Sequence, residues 1–232
     1  MKLRSSLLLV APIAAMAAVS AHAAVPAKAP KPLVITDDTG DANLISDQGF
    51  VSGTPIPAGT KTDPASAAQF DIKSVTVAAT GNMATKKVGR KTVKYFNCTG
   101  YTATMELGAA PLAQGTLYRI QASTPLHPTY WLEWSNEASG TSQTTLRFTD
   151  EAATLGTTSI PIAAAKVVGT KIVFTVTSGN IKASGEKLGK AILSGFGADV
   201  RNNLKAQGTG ATVPMWDQLK TDGSQAWKVC PV

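Results

Sequence analysis

Between Ile35 and Phe50 the chain reads ITDDTGDANLISDQGF, four aspartates, an asparagine and two glycines in sixteen residues. Hard cations such as calcium take six to eight oxygens from carboxylates, amides and backbone carbonyls. Glycine gives the curvature that gathers such oxygens from a short segment. Asp38 and Asp41 flank Gly40 and are the leading ligands, with Asp37 and Asn43 available for further positions. Asp71, in FDIKSVTV, opens the next strand after a loop rich in Pro, Gly and Ser, and is placed to meet them. The spacing is not that of an EF-hand, because the closing glutamate is missing. The expected cofactor is Ca2+, and the competing reading is that these aspartates only cap turns through side-chain to backbone hydrogen bonds.

Catalytic residues are scarce. Once a leader is removed, His127 in TPLHPTYW is the single histidine, and no G-x-S-x-G elbow accompanies it. A zinc site lacks its His and Cys ligands. Glu106, Glu133, Glu137 and Glu151 are loose candidates for a glycosidase pair that sequence spacing does not bring together. Trp131 and Trp134 are candidate ligand-binding residues, since a sugar ring stacks on an exposed indole. In an extended TYWLEW they lie on opposite faces, so one belongs to the core and the other is the candidate for exposure, while core packing is the competing reading for each, since aromatics dominate sandwich interiors.

Residues 1–23 have the form of a signal peptide. Lys2 and Arg4 precede an apolar run from Leu7 to Val19, too short to span a bilayer, and Ala21-His22-Ala23 suits cleavage. Secretion or a periplasmic location follows, with 209 mature residues (232 less 23) and no further membrane span. The formal charge of +7 falls to +5, from 22 less 2 basic residues against 15 acidic ones. Much of the excess sits in KKVGRKTVK, a hairpin tip centred on Gly89 that suits polyanions or an anionic cell surface, or that merely discourages edge pairing. Aromatic interleaving of the kind that stacks bases is missing, which argues against nucleic acid. Cys98 and Cys230 are expected to form a disulfide in an oxidising compartment, worth roughly 4 to 5 kcal/mol in the chain-entropy model.

The elements that must position these residues are strands. Residues 24–32, AVPAKAPKP, form a short linker, and the folded domain runs from 33 to 232. YTATMEL sets Tyr101, Ala103, Met105 and Leu107 against Thr102, Thr104 and Glu106, the alternation of a half-buried antiparallel strand. LYRIQA, TYWLEW, TTLRF and KIVFTV continue the series, with PLAQGT expected as a hairpin connection between the first two runs and Gly169-Thr170 as a turn. Phe70, Ile72, Val75 and Val77 show a slip in phase, as at a bulge. A helical turn is expected only within SGEKLGKAILSGFGADVRNNL, where four glycines weaken it. The fold class is therefore an all-β antiparallel sandwich in a single domain.

DDTGDAN followed by FDIKSVTV resembles the opening of exported bacterial β-sandwich domains of the DOMON-like and family-9 carbohydrate-binding-module-like group. The resemblance implies a jelly-roll-like sandwich with a structural calcium, and it carries over to Asp38, Gly40, Asp41 and Asp71. Looser similarity extends to YTATMEL, YRIQAS, YWLEWS and VPMWDQL, but no matched pair of exposed tryptophans accompanies it. The function expected is a noncatalytic exported module for binding or surface interaction, with a glycan or cell-surface component as partner. The alternatives are a secreted polysaccharide hydrolase and a structural envelope protein with no ligand beyond the ion.

Overall fold

A computed structural model of the chain describes residues 28–38, 50–51, 54–55, 68–110, 112, 115–136, 142–149, 156–202, 215–220 and 225–230. The segment expected to be a leader, residues 1–23, and much of the acidic segment, including Asp41 and Asn43, lie outside the described residues.

The fold is an all-β sandwich of two antiparallel sheets. In chain order the strands are β1 (Leu33–Thr36), β2 (Phe50–Val51), β3 (Thr54–Pro55), β4 (Ile72–Val88), β5 (Lys91–Leu107), β6 (Thr116–Ser123), β7 (Tyr130–Asn136), β8 (Gln143–Thr149), β9 (Thr157–Pro161), β10 (Lys166–Val168), β11 (Lys171–Thr177), β12 (Ile192–Asn202), β13 (Met215–Lys220) and β14 (Ala226–Lys228). One sheet has the order β1-β4-β5-β11-β10; the other runs β13-β12-β6-β7-β8-β9, with β14 also on β12, and β2 pairs with β3 separately.

The alternation written in the sequence decides what each strand buries. Tyr101, Ala103, Met105 and Leu107 of β5 face Tyr118, Ile120 and Ala122 of β6 and Tyr130, Leu132 and Trp134 of β7 across one core. Tyr118 and Trp134 are cross-strand neighbours whose rings stack at 5.4 Å, and Trp227 meets Tyr101 edge-on at 6.2 Å. Cys98 and Cys230 are joined as a disulfide, tying the chain's last strand region to β5. The phase slip ahead of Val75 is a register shift between Ile72 and Ser74.

Two expectations fail. PLAQGT does not close a hairpin, because β5 and β6 lie in different sheets and the segment between them crosses the sandwich. Alternation reports which face of a strand is apolar, and two strands of opposite sheets bury their apolar faces in the same core equally well. Helical structure is also not confined to the segment expected to hold it: α1 spans Ser178–Ala183, just before that segment, within which the Lys187 carbonyl accepts from the Lys190 and Ala191 amides in a single turn and Ile192 to Asn202 is strand. Thr177 and Asn180 cap α1 reciprocally, the Asn180 amide donating to Thr177 Oγ1 at 3.2 Å and the Thr177 amide to Asn180 Oδ1 at 3.0 Å.

Candidate binding face

The acidic opening is only partly in view. The register of β1 against β4, Thr36 opposite Ser74, continues one step further as the Asp37 amide donates to the Lys73 carbonyl at 3.0 Å. The acidic turn therefore leaves the sheet alongside the start of β4, close to Asp71 in backbone terms. The side chains differ in exposure, Asp38 being exposed and Asp71 buried. Asp37 Oδ1 accepts the Asp38 amide hydrogen at 3.1 Å, a local contact of the turn-capping kind. Among the described residues no group of three or more His, Cys, Asp or Glu side chains is gathered as for a metal ion.

The catalytic candidates are placed apart. His127 is buried, with Nδ1 2.9 Å from the Thr149 carbonyl oxygen and Nε2 2.6 Å from that of Ser184, and its ring packs on Phe148 at a centroid distance of 4.4 Å. Both ring nitrogens are engaged with backbone, which makes this residue a tie between the β6–β7 loop, the end of β8 and the segment after α1. Glu106 sits on the outer face of the five-stranded sheet, 3.4 Å from Lys171, whereas Glu133 sits on the outer face of the other sheet. The whole core separates these two carboxylates. Glu137 and Glu151 lie outside the described residues.

Trp131 and Trp134 do point to opposite faces. Trp134 is core, whereas Trp131 is half-buried on the outer face of the larger sheet. The register sets Trp131 opposite Gln121 on β6 and Arg147 on β8, and one step along the strands sets Arg119 between Glu133 and Asp199. Five side chains from four strands then form a line of alternating charge. Arg201 Nε donates to Asp199 Oδ1 at 2.6 Å, and Arg119 Nε and Nη2 both approach Asp199 Oδ2 at 2.8 Å. Arg119 Nη1 stands 3.8 Å from Glu133 Oε1, and Arg147 Nη1 donates to Glu133 Oε2 at 3.1 Å. The guanidinium carbons of Arg119 and Arg147 lie 5.7 and 5.9 Å from the Trp131 ring centroid, within cation–π range.

The two carboxylates are the buried members of this line, with side chains 3% exposed at Asp199 and 7% at Glu133, against 14% at Arg119, 23% at Arg201 and 39% at Arg147. Buried ion pairs are poor sources of stability, because desolvation roughly cancels their attraction, although deleting one partner costs about 3–5 kcal/mol. A line of five therefore gains a β-sandwich little in stability. What it does provide is orientation, holding two guanidinium groups against one indole. The Trp131 ring N–H is buried and has no acceptor among the described residues.

The chain matches no protein-family model, no curated protein and no solved structure. The site is thus read from its own geometry. Sequence reasoning singled out Trp131 but missed Arg119, Arg147, Asp199 and Arg201. Their signal was present, since each occupies an outward position of an alternating strand. What was missing was the strand order that brings β12, β6, β7 and β8 side by side.

Proposed function

We propose that this chain is an exported, noncatalytic β-sandwich module that binds a glycan on the outer face of its larger sheet. The observation that carries the reading is the placement of Trp131, an aromatic platform on a sheet face with Arg119 and Arg147 set against it by the buried carboxylates of Glu133 and Asp199. Aromatic rings stack on the C–H faces of sugars, and guanidinium groups donate to their oxygens. Trp and Arg are also the residues that most often dominate binding energy at interfaces. The noncatalytic part is supported by His127, whose two ring nitrogens are both turned to carbonyl oxygens, and by the core that lies between Glu106 and Glu133.

In the same proposal a calcium ion stiffens the acidic turn. The backbone pairing of β1 with β4 brings Asp37 to the end of the sheet where β4 begins after Asp71, and Asp37, Asp38, Asp41, Asn43 and Asp71 together offer the all-oxygen donor types suited to a hard cation. The resemblance of DDTGDAN and FDIKSVTV to exported sandwich domains points the same way, as does the leader-like segment that directs the chain out of the cytoplasm. The test is a glycan array probed with the mature chain. Binding without product release, abolished in Trp131→Ala, is expected; release of sugar that stops in Glu133→Gln would instead make the chain a hydrolase.

A further inference from the structure

The hairpin of β4 and β5 does not end with the sandwich. β1 pairs with β4 only from Ser74 to Val77, and β11 leaves β5 at Gly100. Beyond them the two strands stay paired for eight more positions, from Gly81 with Cys98 to Val88 with Lys91, as a two-stranded arm with no other strand on either edge among the described residues. At about 3.3 Å per residue the arm is roughly 25 Å long. Its root is fixed. Gly100 has φ +154°, and a side chain there would run into the Val176 carbonyl, while the Cys98–Cys230 disulfide clamps the first pair. Gly89, at φ +60°, makes the turn at the tip.

The arm carries Lys86, Lys87, Arg90, Lys91 and Lys94 and, from Gly81 to Cys98, no acidic residue. Once residues 1–23 are removed, the chain has 20 basic and 15 acidic side chains, so these five account for its entire excess and the remainder balances, 15 against 15. Interleaved with the cations are exposed valines, Val88 at 55% and Val93 at 39%, which the register sets on one face with Lys91 and Lys86. No residue from Gly81 to Asn97 belongs to the buried core.

We propose that this arm docks the protein on an anionic phospholipid surface. Lysines on a free strand edge also discourage strand pairing, which explains charge but not the exposed valines among them. An anionic bilayer interface takes both, the headgroups meeting the cations and the acyl boundary receiving the apolar tips. A soluble polyanion would engage the lysines and leave Val88 and Val93 in water. Nucleic acid would want aromatic side chains interleaved with the cations, and none lies between Lys86 and Lys94. The docking does not depend on the glycan reading, since it uses a different surface.

The experiment is cosedimentation of the mature chain with vesicles of phosphatidylglycerol and phosphatidylcholine, and of phosphatidylcholine alone. Binding only to the anionic vesicles, weakening with salt, is expected. Lys86→Gln with Lys87→Gln and Lys91→Gln should weaken it at least about tenfold, and Val88→Asn should weaken it several-fold. Because the arm is outside the core, these variants keep the wild-type melting temperature, which separates lost docking from lost folding. Failure of the wild type to sediment with anionic vesicles, or wild-type binding by the triple variant, overturns the proposal. Undiminished binding by Val88→Asn with full competition by inorganic polyphosphate also overturns it, in favour of a general polyanion site.

Discussion

Asp217 on the edge strand β13 accepts the backbone hydrogen of Ile72, the first residue of β4 in the opposite sheet, at 2.6 Å through Oδ2. Its other oxygen accepts the Gln218 amide hydrogen at 2.8 Å, and the side chain is buried. A single carboxylate thus links the two sheets where β4 begins, next to Asp71.

Removing that acceptor leaves a buried amide without its charge-assisted partner, a loss of about 3 kcal/mol. Asp217→Ala should lower the melting temperature by about 5–10 °C for a domain of this size, and Asp217→Asn, which keeps an acceptor oxygen, by clearly less. Thermal unfolding monitored by circular dichroism checks the pair. Equal melting temperatures for wild type and Asp217→Ala would show that the link carries no stability.

Two buried phenols make the fold sensitive to alkali. Tyr101 donates its hydroxyl to Tyr130 at 3.4 Å between the sheets. Burial pushes Tyr130 up to about 12 and raises Tyr101 well above the ordinary value of 10. The folded state keeps both phenols protonated while the unfolded chain ionises near pH 10, so this contribution is complete below pH 10 and is lost as pH rises from there towards 12. For Tyr130 the loss is about 3 kcal/mol. Urea midpoints between pH 9 and 12 should fall steeply for the wild type and less so for Tyr130→Phe.

Local pattern carried much of this fold. The outward and inward residues of β5, β6, β7 and β11 follow the period-2 alternation, and Trp131 and Trp134 separate as that period requires. Cys98 with Cys230, the Gly89 turn and the slip at Ile72 were equally legible. The partition of strands between sheets was not, as the crossing after Leu107 shows, because alternation does not say which strand is a neighbour. The charge line through Arg119 and Glu133 depends on that partition. So does the arm, whose length shows only once β1 and β11 are seen to stop short of it. Helix α1 escaped notice because its six residues bury only Ile181.

A calcium ion that binds only the folded chain must stabilise it by mass action, by about 3 kcal/mol at a hundred times the dissociation constant. The chain from residue 24 onward should therefore melt higher in calcium than in chelator by about 5–10 °C. Asp38→Ala combined with Asp41→Ala should abolish the difference. Identical melting in calcium and chelator would remove the ion and leave these aspartates as turn caps.

The most direct measurement is depletion from solution of the protein from residue 24 onward by insoluble polysaccharides (cellulose, xylan, chitin and peptidoglycan), run with wild type, Trp131→Ala and Arg147→Ala alongside an assay for released reducing ends. Retention on at least one of them is expected, lost by tenfold or more in Trp131→Ala, weakened in Arg147→Ala, and accompanied by no sugar release. Retention that survives Trp131→Ala, or no retention by any of the four, would mean that the outer face of the larger sheet is not a glycan-binding surface.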